Sequence, residues 1–423
     1  MSCCGILLLI HYTPTKGDSM ESFRLYSGIP SLPDGKVWAE INTQALADNY
    51  RILCKKTPGI RHICVVKADA YGHTSAICVD ALLDADCDFF AVSCIEEAIE
   101  VRKLCRAKNR FAEILILGYT DPQYAKALAE YNIIQTVVGE DHAEALLKKA
   151  KSEKCTVRVH VALDTGMNRV GLCARNENEC MRAADTVKAL AAEKHLSIEG
   201  LFTHFSKADE EEASVFAPES HTRIQAKRFA AVRDLLKNSG IELFCHACNS
   251  AAAIRFPEYA FDGVRLGILL YGVRPSRHVA AETAPVMSLH TVISHIHELP
   301  AGESVSYGGR YVAESDLVIA TLPIGYADGF LRSYEGAEVT VHSRTGDRKA
   351  PIIGRICMDQ CMIDLTGISA EVGDRVTVFG DDHETLSALA ALADTIEYEV
   401  ICLISGRVPR IAANRKTQER RSE

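Results

Sequence analysis

Several polar side chains at the ends of apolar, β-branched runs are the first features of this 423-residue sequence that could do chemistry. Lys67 stands inside Val65-Val66-Lys67-Ala68-Asp69-Ala70-Tyr71-Gly72-His73; Asp164 and Arg169 follow a second run, His204 closes a third, Asn249 and Ser250 end a fourth, and Arg265 lies in a fifth. A lysine at the end of an apolar strand is costly to bury unless it is paired or used covalently. A partly desolvated amine can form a Schiff base with an aldehyde cofactor, which is how pyridoxal phosphate is held. Tyr71 and the segment Asn249-Ser250-Ala251-Ala252 could then hold a phosphate, with Ser250 as a helix N-cap. On position alone, Lys67 also reads as a surface lysine and His204 as a satisfied core histidine. The pairs Cys245/Cys248 and Cys357/Cys361 have ligand-like spacing, but neither is joined by the second pair a zinc site requires, so no metal is expected.

The elements that must position these groups alternate. Strand-like runs at His62–Ala68, Phe89–Ser93, Glu113–Gly118, Asn132–Val138, Thr156–Asp164, Ile198–Phe205, Leu243–Asn249 and Gly263–Ile268 are separated by candidate helices, among them Ile95–Cys105, His142–Lys151, Glu177–Glu193 and Arg223–Asn238. Eight such alternations predict a closed parallel (TIM-type) barrel of the α/β class, whose chemistry sits where the strand C-termini converge. Lys67, Asp164, His204, Asn249 and Ser250 fall at those ends. After Pro285 the texture changes to short strands with Gly and Pro turns: Ser288–His297, Leu317–Pro323, Glu338–Val341, Ala350–Ile356, Cys361–Leu365 and Arg375–Phe379, with one short helix at Leu386–Ala393. We therefore expect an extension over residues 1–36, a cofactor-binding barrel over 37–283, a β-rich domain over 284–411 and a charged tail over 412–423.

Asp and Glu outnumber Lys and Arg by 56 to 47, a net charge of -9, with no long basic run to hold phosphate backbones, so nucleic acid is not an expected partner. The apolar run Gly5–Ile10 is too short to span a bilayer and has no basic residue before it; no membrane role is expected. Met20 is an alternative start to Met1. Sixteen cysteines, several inside apolar runs, fit reduced thiols in the cytoplasm better than a disulfide framework. A small molecule is the expected ligand.

Taken together, Val66–His73, Asp164-Thr165-Gly166-Met167-Asn168-Arg169, Thr203-His204-Phe205, Asn249–Ala252, Val264-Arg265-Leu266-Gly267, Val305-Ser306-Tyr307-Gly308, Pro323–Gly329, Gly354–Gln360 and Arg407-Val408-Pro409-Arg410 resemble the alanine racemase family, in family order, over roughly residues 37–411. The resemblance implies a pyridoxal 5'-phosphate enzyme interconverting L- and D-alanine, with cell-wall precursor supply, catabolism and resistance all open as its role. It implies two acid/base groups on opposite faces of the Cα carbanion, Lys67 as Schiff-base lysine and Tyr307 from the partner subunit of a head-to-tail homodimer. It places Tyr71, Asn249, Ser250, Gly267 and Ile268 about the cofactor, Arg265 facing the pyridine nitrogen, His204 bonded to that arginine, and Arg169 on the phenolic oxygen and the substrate carboxylate. Met358 and Tyr326 form the opposing wall and entrance.

Two positions depart from the family pattern. Ala162 stands where many members carry a carbamate-modified lysine that steadies the arginine, so a bound anion or another side chain must orient Arg169, or it is looser. Gly406 stands where the alanine-specific pattern has a tyrosine, leaving room for serine or a somewhat larger amino acid. Amino-acid decarboxylation is disfavoured by Arg265, because such enzymes carry an acid there, and a non-catalytic pyridoxal-phosphate carrier is disfavoured by the second domain with Tyr307.

Overall fold

The computed structural model describes residues 35–413 except Asp381; the expected extension before residue 35, the choice of start and the tail beyond residue 413 lie outside the described residues. Eight strands, Arg61–Val65, Phe89–Val92, Glu113–Ile116, Ile134–Val137, Val157–Asp164, Leu196–Phe202, Phe244–His246 and Gly263–Leu266, pair in parallel in chain order. The last pairs with the first, as Val264 with His62, so the sheet closes into the expected barrel. A two-residue strand, Leu172–Cys173, adds to the edge of Val157–Asp164. Helices Ile95–Ala107, Glu140–Glu153, Glu177–Ala191 and His221–Asn238 lie where the three- and four-residue apolar spacing puts them.

Most of the barrel strands end short of the runs read from the sequence. The β-branched runs continue into residues 66–68, 93, 117–118, 203–205, 247–249 and 267–268, but there the backbone leaves the ladder to form the loops of the barrel mouth. At the opposite end the interior is filled by Phe89, His160, Phe244 and His246, with ring centroids 5.2–6.2 Å apart. Gly200 makes this packing feasible, because a Cβ there would lie 2.6 Å from the His160 ring.

The second sheet has nine strands, ordered His295–Leu299, Leu317–Leu322, Cys361–Asp364, Gly346–Ile353, Glu338–Ser343, Arg375–Phe379, Met287–Val292, Val37–Asn42 and Arg410–Ala413. Two of these differ from expectation. Val37–Asn42 does not belong with the barrel: it pairs antiparallel with Met287–Val292 and parallel with Arg410–Ala413. The run Ser288–His297 is two strands, because Ile293 and Ser294 turn aside to bond Asp374 and Thr321, and the halves lie far apart in the sheet. The expected helix is present as His383–Leu392, followed by a second, Glu397–Cys402, which returns the chain to the barrel mouth. There Gly72 packs so closely that a Cβ would sit 2.4 Å from the Ile401 carbonyl oxygen. Among the described residues no helix is long and apolar enough to cross a membrane.

Candidate active site

A cavity of about 380 Å³ opens at the mouth of the barrel, lined among others by Lys67, Tyr71, Arg169, His204, Asn249, Ser250, Arg265, Gly267 and Ile268. Lys67 enters it from an unusual backbone. Ala68, Asp69, Ala70 and Tyr71 all have φ between 51° and 56°, a turn of left-handed helix ending at Gly72 with φ 80°. At about 1–2 kcal/mol for each L-residue, such a turn forms only where its surroundings enforce it. Asp69 accepts from the Ser75 amide at 2.6 Å, Glu97 accepts from the Ala68 amide at 2.7 Å, and Arg410 donates to the Gly72 carbonyl at 2.9 Å. Lys67 and Tyr71, about one turn apart, share a face, with the amine 6.0 Å from the centre of the Tyr71 ring. Burial, and then the Arg169 charge, lower the Lys67 pKa, which favours the nucleophilic neutral amine.

The end of the cavity beside Tyr71 is a cradle. The helix Ser250–Arg255 is capped by Asn249, whose carbonyl accepts from the Ala252 amide at 3.0 Å, and not by Ser250 as expected. Asn249 holds the extended conformation a cap requires, which places Ser250 at the first helical position and frees its hydroxyl to face the Gly267 amide at 2.8 Å. A Cβ at Gly267 would lie 2.8 Å from the Tyr71 hydroxyl, so only glycine leaves that space open. Burial raises the Tyr71 pKa, so its phenol is a donor near neutral pH. A hydroxyl from each of two side chains, a backbone amide and a helix start suit a phosphate group.

Arg265 is held deeper, 3% exposed. Its guanidinium donates to the carbonyls of His246 (3.1 Å), Thr203 (2.7 Å) and Ala247 (2.9 Å), and lies 3.4 Å from Nδ1 of His204. Burial lowers its pKa to about 10, so it stays cationic at neutral pH. His204 is kept neutral by burial and by the charges of Arg265, Arg169 and Lys67. Two further histidines, not singled out in the sequence, extend the chain: Nδ1 of His246 lies 2.7 Å from Arg265, and its Nε2 lies 3.0 Å from Nδ1 of His160. Phe202 stacks on the His246 ring at 4.8 Å, with the Arg265 cation 5.3 Å from its centre. His246 is an inward position of the strand Phe244–His246, and the alternation of that strand is the signal that would have found it.

Arg169 sits at the rim. Asp164 shapes its loop by accepting from the Gly166 and Asn168 amides at 3.1 and 2.9 Å. Ala162 lines the cavity as a bare methyl group. Among the described residues no side chain stands in for the lysine that the family pattern has there, and none hydrogen-bonds or ion-pairs with the Arg169 guanidinium.

Tyr307, Tyr326 and Met358 do not line this cavity. They are 71%, 42% and 54% exposed on the β domain. Hydrogen bonds assemble their loops into one patch: the Ser306 hydroxyl donates to the Arg355 carbonyl at 2.6 Å, and the Tyr326 and Ala327 amides donate to Cys357 and Met358. Gly406 is also outside the cavity lining, and a Cβ built there would meet nothing within 4 Å. Residues not anticipated also line the cavity, among them Ser93, Asp209 and Tyr398. Tyr398 comes from the short helix Glu397–Cys402 and places its ring 6.3 Å from that of Tyr71.

The alanine racemase N-terminal domain family matches residues 41–275 and the alanine racemase C-terminal domain family residues 286–412. Alanine racemase 1 of Clostridium acetobutylicum is 40% identical over 386 residues, covering 89% of this chain and 95% of that protein. Alanine racemase 1 of Bacillus subtilis is 37% identical over 383 residues, covering 88% and 92%. Among solved structures, alanine racemase from Clostridium difficile 630 superposes with a TM-score of 0.81 at 35% identity, covering 90% of this chain and 96% of that one. The Bacillus anthracis alanine racemase with bound L-Ala-P gives 0.79 at 33% identity, covering 90% and 95%. With both domains matched in order and a barrel and β-rich sheet of the same architecture, this chain belongs to the alanine racemase family of isomerases.

Proposed function

We propose that this chain interconverts L- and D-alanine with pyridoxal 5'-phosphate as cofactor, using Lys67 and Tyr307 of the partner subunit as two bases. The observation that carries this reading is the convergence of Lys67, the Tyr71–Ser250–Gly267 cradle and Arg265 on one cavity, with an anion site at one end and a fixed cation at the other. The residues fit the cofactor: the open space at Gly267 would admit a phosphate, and the Lys67 amine lines the same cavity, 6.0 Å from the Tyr71 ring. When bound, pyridoxal phosphate supplies an aldehyde for the amine and an electron sink for the Cα carbanion.

The protein's part follows from the placement of its groups. Tyr71, Ser250, the Gly267 and Ile268 segment and the Asn249-capped helix hold the phosphate end. Arg265 would face the pyridine nitrogen of the bound cofactor, and because its guanidinium remains cationic it would oppose protonation there, which would weaken the electron sink and disfavour the return of a proton to the wrong carbon. His204 and His246, kept neutral, accept from Arg265 and fix its plane. Arg169 takes the substrate carboxylate at the rim. Lys67 moves the α-proton on one face, and a second base must serve the other. Among the described residues, Tyr71 and His204 also stand near Lys67, but the first belongs to the phosphate cradle and the second is tied to Arg265, whereas Tyr307 is exposed beside Tyr326 and Met358, as a group offered to another copy would be.

The test is complementation. Lys67→Ala and Tyr307→Phe chains are each expected to be inactive, and mixing them should restore activity, because one site of the heterodimer then has neither defect. Mixed dimers that form, as shown by tagged co-purification, and stay inactive refute the shared site. Serine is the second substrate to weigh, because Gly406 stands where the alanine-specific pattern has a tyrosine.

A further inference from the structure

Glu97 has no part in the scheme above, yet it touches the segment that carries the reactive amine. It lies in the first turn of the helix Ile95–Ala107, where an acidic residue reads as ordinary complement to the helix dipole. Its contacts are of another kind. One carboxylate oxygen accepts from the Ala68 amide at 2.7 Å, the first amide after Lys67. The other accepts from both the amide and the hydroxyl of Ser93, at 2.8 and 2.9 Å. Ser93 is the residue at which the strand Phe89–Val92 leaves the barrel, and it lines the same cavity as Lys67. Both oxygens therefore tie two adjacent mouth loops together at the point where the left-handed turn begins.

The charge of Glu97 matters as well as its reach. The groups about the Lys67 amine are Arg169 from the loop after Val157–Asp164, His204 from the loop after Leu196–Phe202, the thiol of Cys402 from the helix Glu397–Cys402, the neutral phenol of Tyr71 and Glu97, with the Asp209 carboxylate elsewhere in the same cavity lining. Arg169 is a fixed cation that disfavours a charged lysine, and His204 and the thiol are neutral near pH 7. Glu97 is thus a carboxylate whose charge acts on Lys67 against that of Arg169, and the Cys94 thiol is its own titratable neighbour.

We propose that Glu97 is the positioning residue for Lys67: its carboxylate clamps the left-handed turn through the Ala68 amide, ties it to Ser93, and supplies the negative charge beside the amine. The role of Lys67 in this rests on the function proposed above, whereas the clamp on the turn does not.

Both parts are read in the full-length chain stripped of cofactor. The first readout is amide hydrogen exchange of residues 68–72. The second is the pH dependence with which Lys67 captures pyridoxal, trapped by borohydride and located by mass spectrometry. Glu97→Gln keeps an oxygen for the Ala68 amide but removes the charge. It should leave exchange within about twofold of wild type while moving the capture midpoint down by about half a pH unit or more, since losing a nearby anion lowers a lysine pKa. Glu97→Ala should also speed exchange at residues 68–72 by tenfold or more. If Glu97→Ala does not fold, Glu97→Asp, whose shorter side chain cannot span both loops, should show the faster exchange with little change in midpoint. An unshifted midpoint in Glu97→Gln overturns the electrostatic role, and unchanged exchange in the alanine or aspartate variant overturns the clamp. If wild-type protein captures no pyridoxal at Lys67, the assignment of that lysine fails instead, and the exchange result alone decides for or against Glu97.

Discussion

Replacing Gly267 with alanine adds one methyl group to the cradle between Tyr71 and Ser250. The new carbon would lie 2.8 Å from the Tyr71 hydroxyl and 3.8 Å from Oγ of Ser250. Tyr71 cannot simply swing away, because its ring packs against Tyr271 at 5.1 Å and Tyr398 at 6.3 Å. The hydroxyl must therefore shift off its line to the phosphate, and a hydrogen bond to a charged group is worth about 1.5–3 kcal/mol. At 1.4 kcal/mol per factor of ten, the dissociation constant for pyridoxal phosphate should rise roughly ten- to a hundredfold. Titrating cofactor into stripped protein and following the visible absorbance measures it. A double-mutant cycle with Tyr71→Phe isolates the route: if the methyl acts through the phenol, the double variant should be little worse than the poorer single one. A dissociation constant within twofold of wild type for Gly267→Ala would refute the cradle as the phosphate site.

Three other outcomes are expected. Arg265→Glu should let the pyridine nitrogen keep a proton, so racemisation falls while transamination rises; an unchanged ratio of pyridoxamine phosphate formed to alanine racemised would leave Arg265 as a packing group. Gly406→Tyr tests the serine alternative: nothing within 4 Å of a Cβ there hinders the new ring, and if it extends from its position outside the lining into the cavity it should raise the alanine-to-serine ratio of kcat/KM by roughly tenfold or more, since small pocket changes are worth about 1–3 kcal/mol; equal loss for both substrates would show that Gly406 does not set specificity. Below neutral pH the fold should weaken: buried His73 and His160 have pKa values lowered by burial to about 4 and about 3, so each remains neutral when folded but binds a proton on unfolding. Their contribution is whole above about pH 6.5 and declines as the pH falls toward 4, by roughly 2 kcal/mol each at pH 5, so urea unfolding that is equally stable at pH 7 and pH 5 contradicts it.

What the sequence revealed was whatever is written locally. The barrel strands announce themselves as β-branched runs between helices, and Lys67, His204, Asn249 and Ser250 sit just past strand ends because that is where a parallel barrel gathers its loops. Arg265 is visible as a cation in an apolar strand. The misses share the opposite property. Val37–Asn42 reads as a strand, but nothing in six residues reveals that its partners are some 250 and 370 positions away. Glu97 resembles any acidic residue at a helix start, and its bonds to Ala68 and Ser93 exist only once the barrel has closed. The left-handed turn contains no glycine before Gly72, so propensity argues against it; tertiary contacts from Asp69, Glu97 and Arg410 impose it. The helix Glu397–Cys402 is too short to show a period, yet it delivers Tyr398 to the cavity.

The pairing of Val37–Asn42 with both Met287–Val292 and Arg410–Ala413 also sets an order of events as the chain is made. In the register seen, Ala39 opposes Leu289 on one side and Arg410 on the other, and its amide bonds the Pro409 carbonyl at 2.9 Å. The segment synthesised before the barrel must therefore wait, as an unpaired strand, until about 250 further residues have emerged, and one of its edges stays open until more than three hundred have. Closing so long a loop is a slow step, and the barrel, whose strands pair in chain order, can assemble meanwhile. A nascent chain halted before residue 400 would hold a finished barrel beside an exposed apolar edge, which is the surface a holding chaperone or a second unfinished chain would find first.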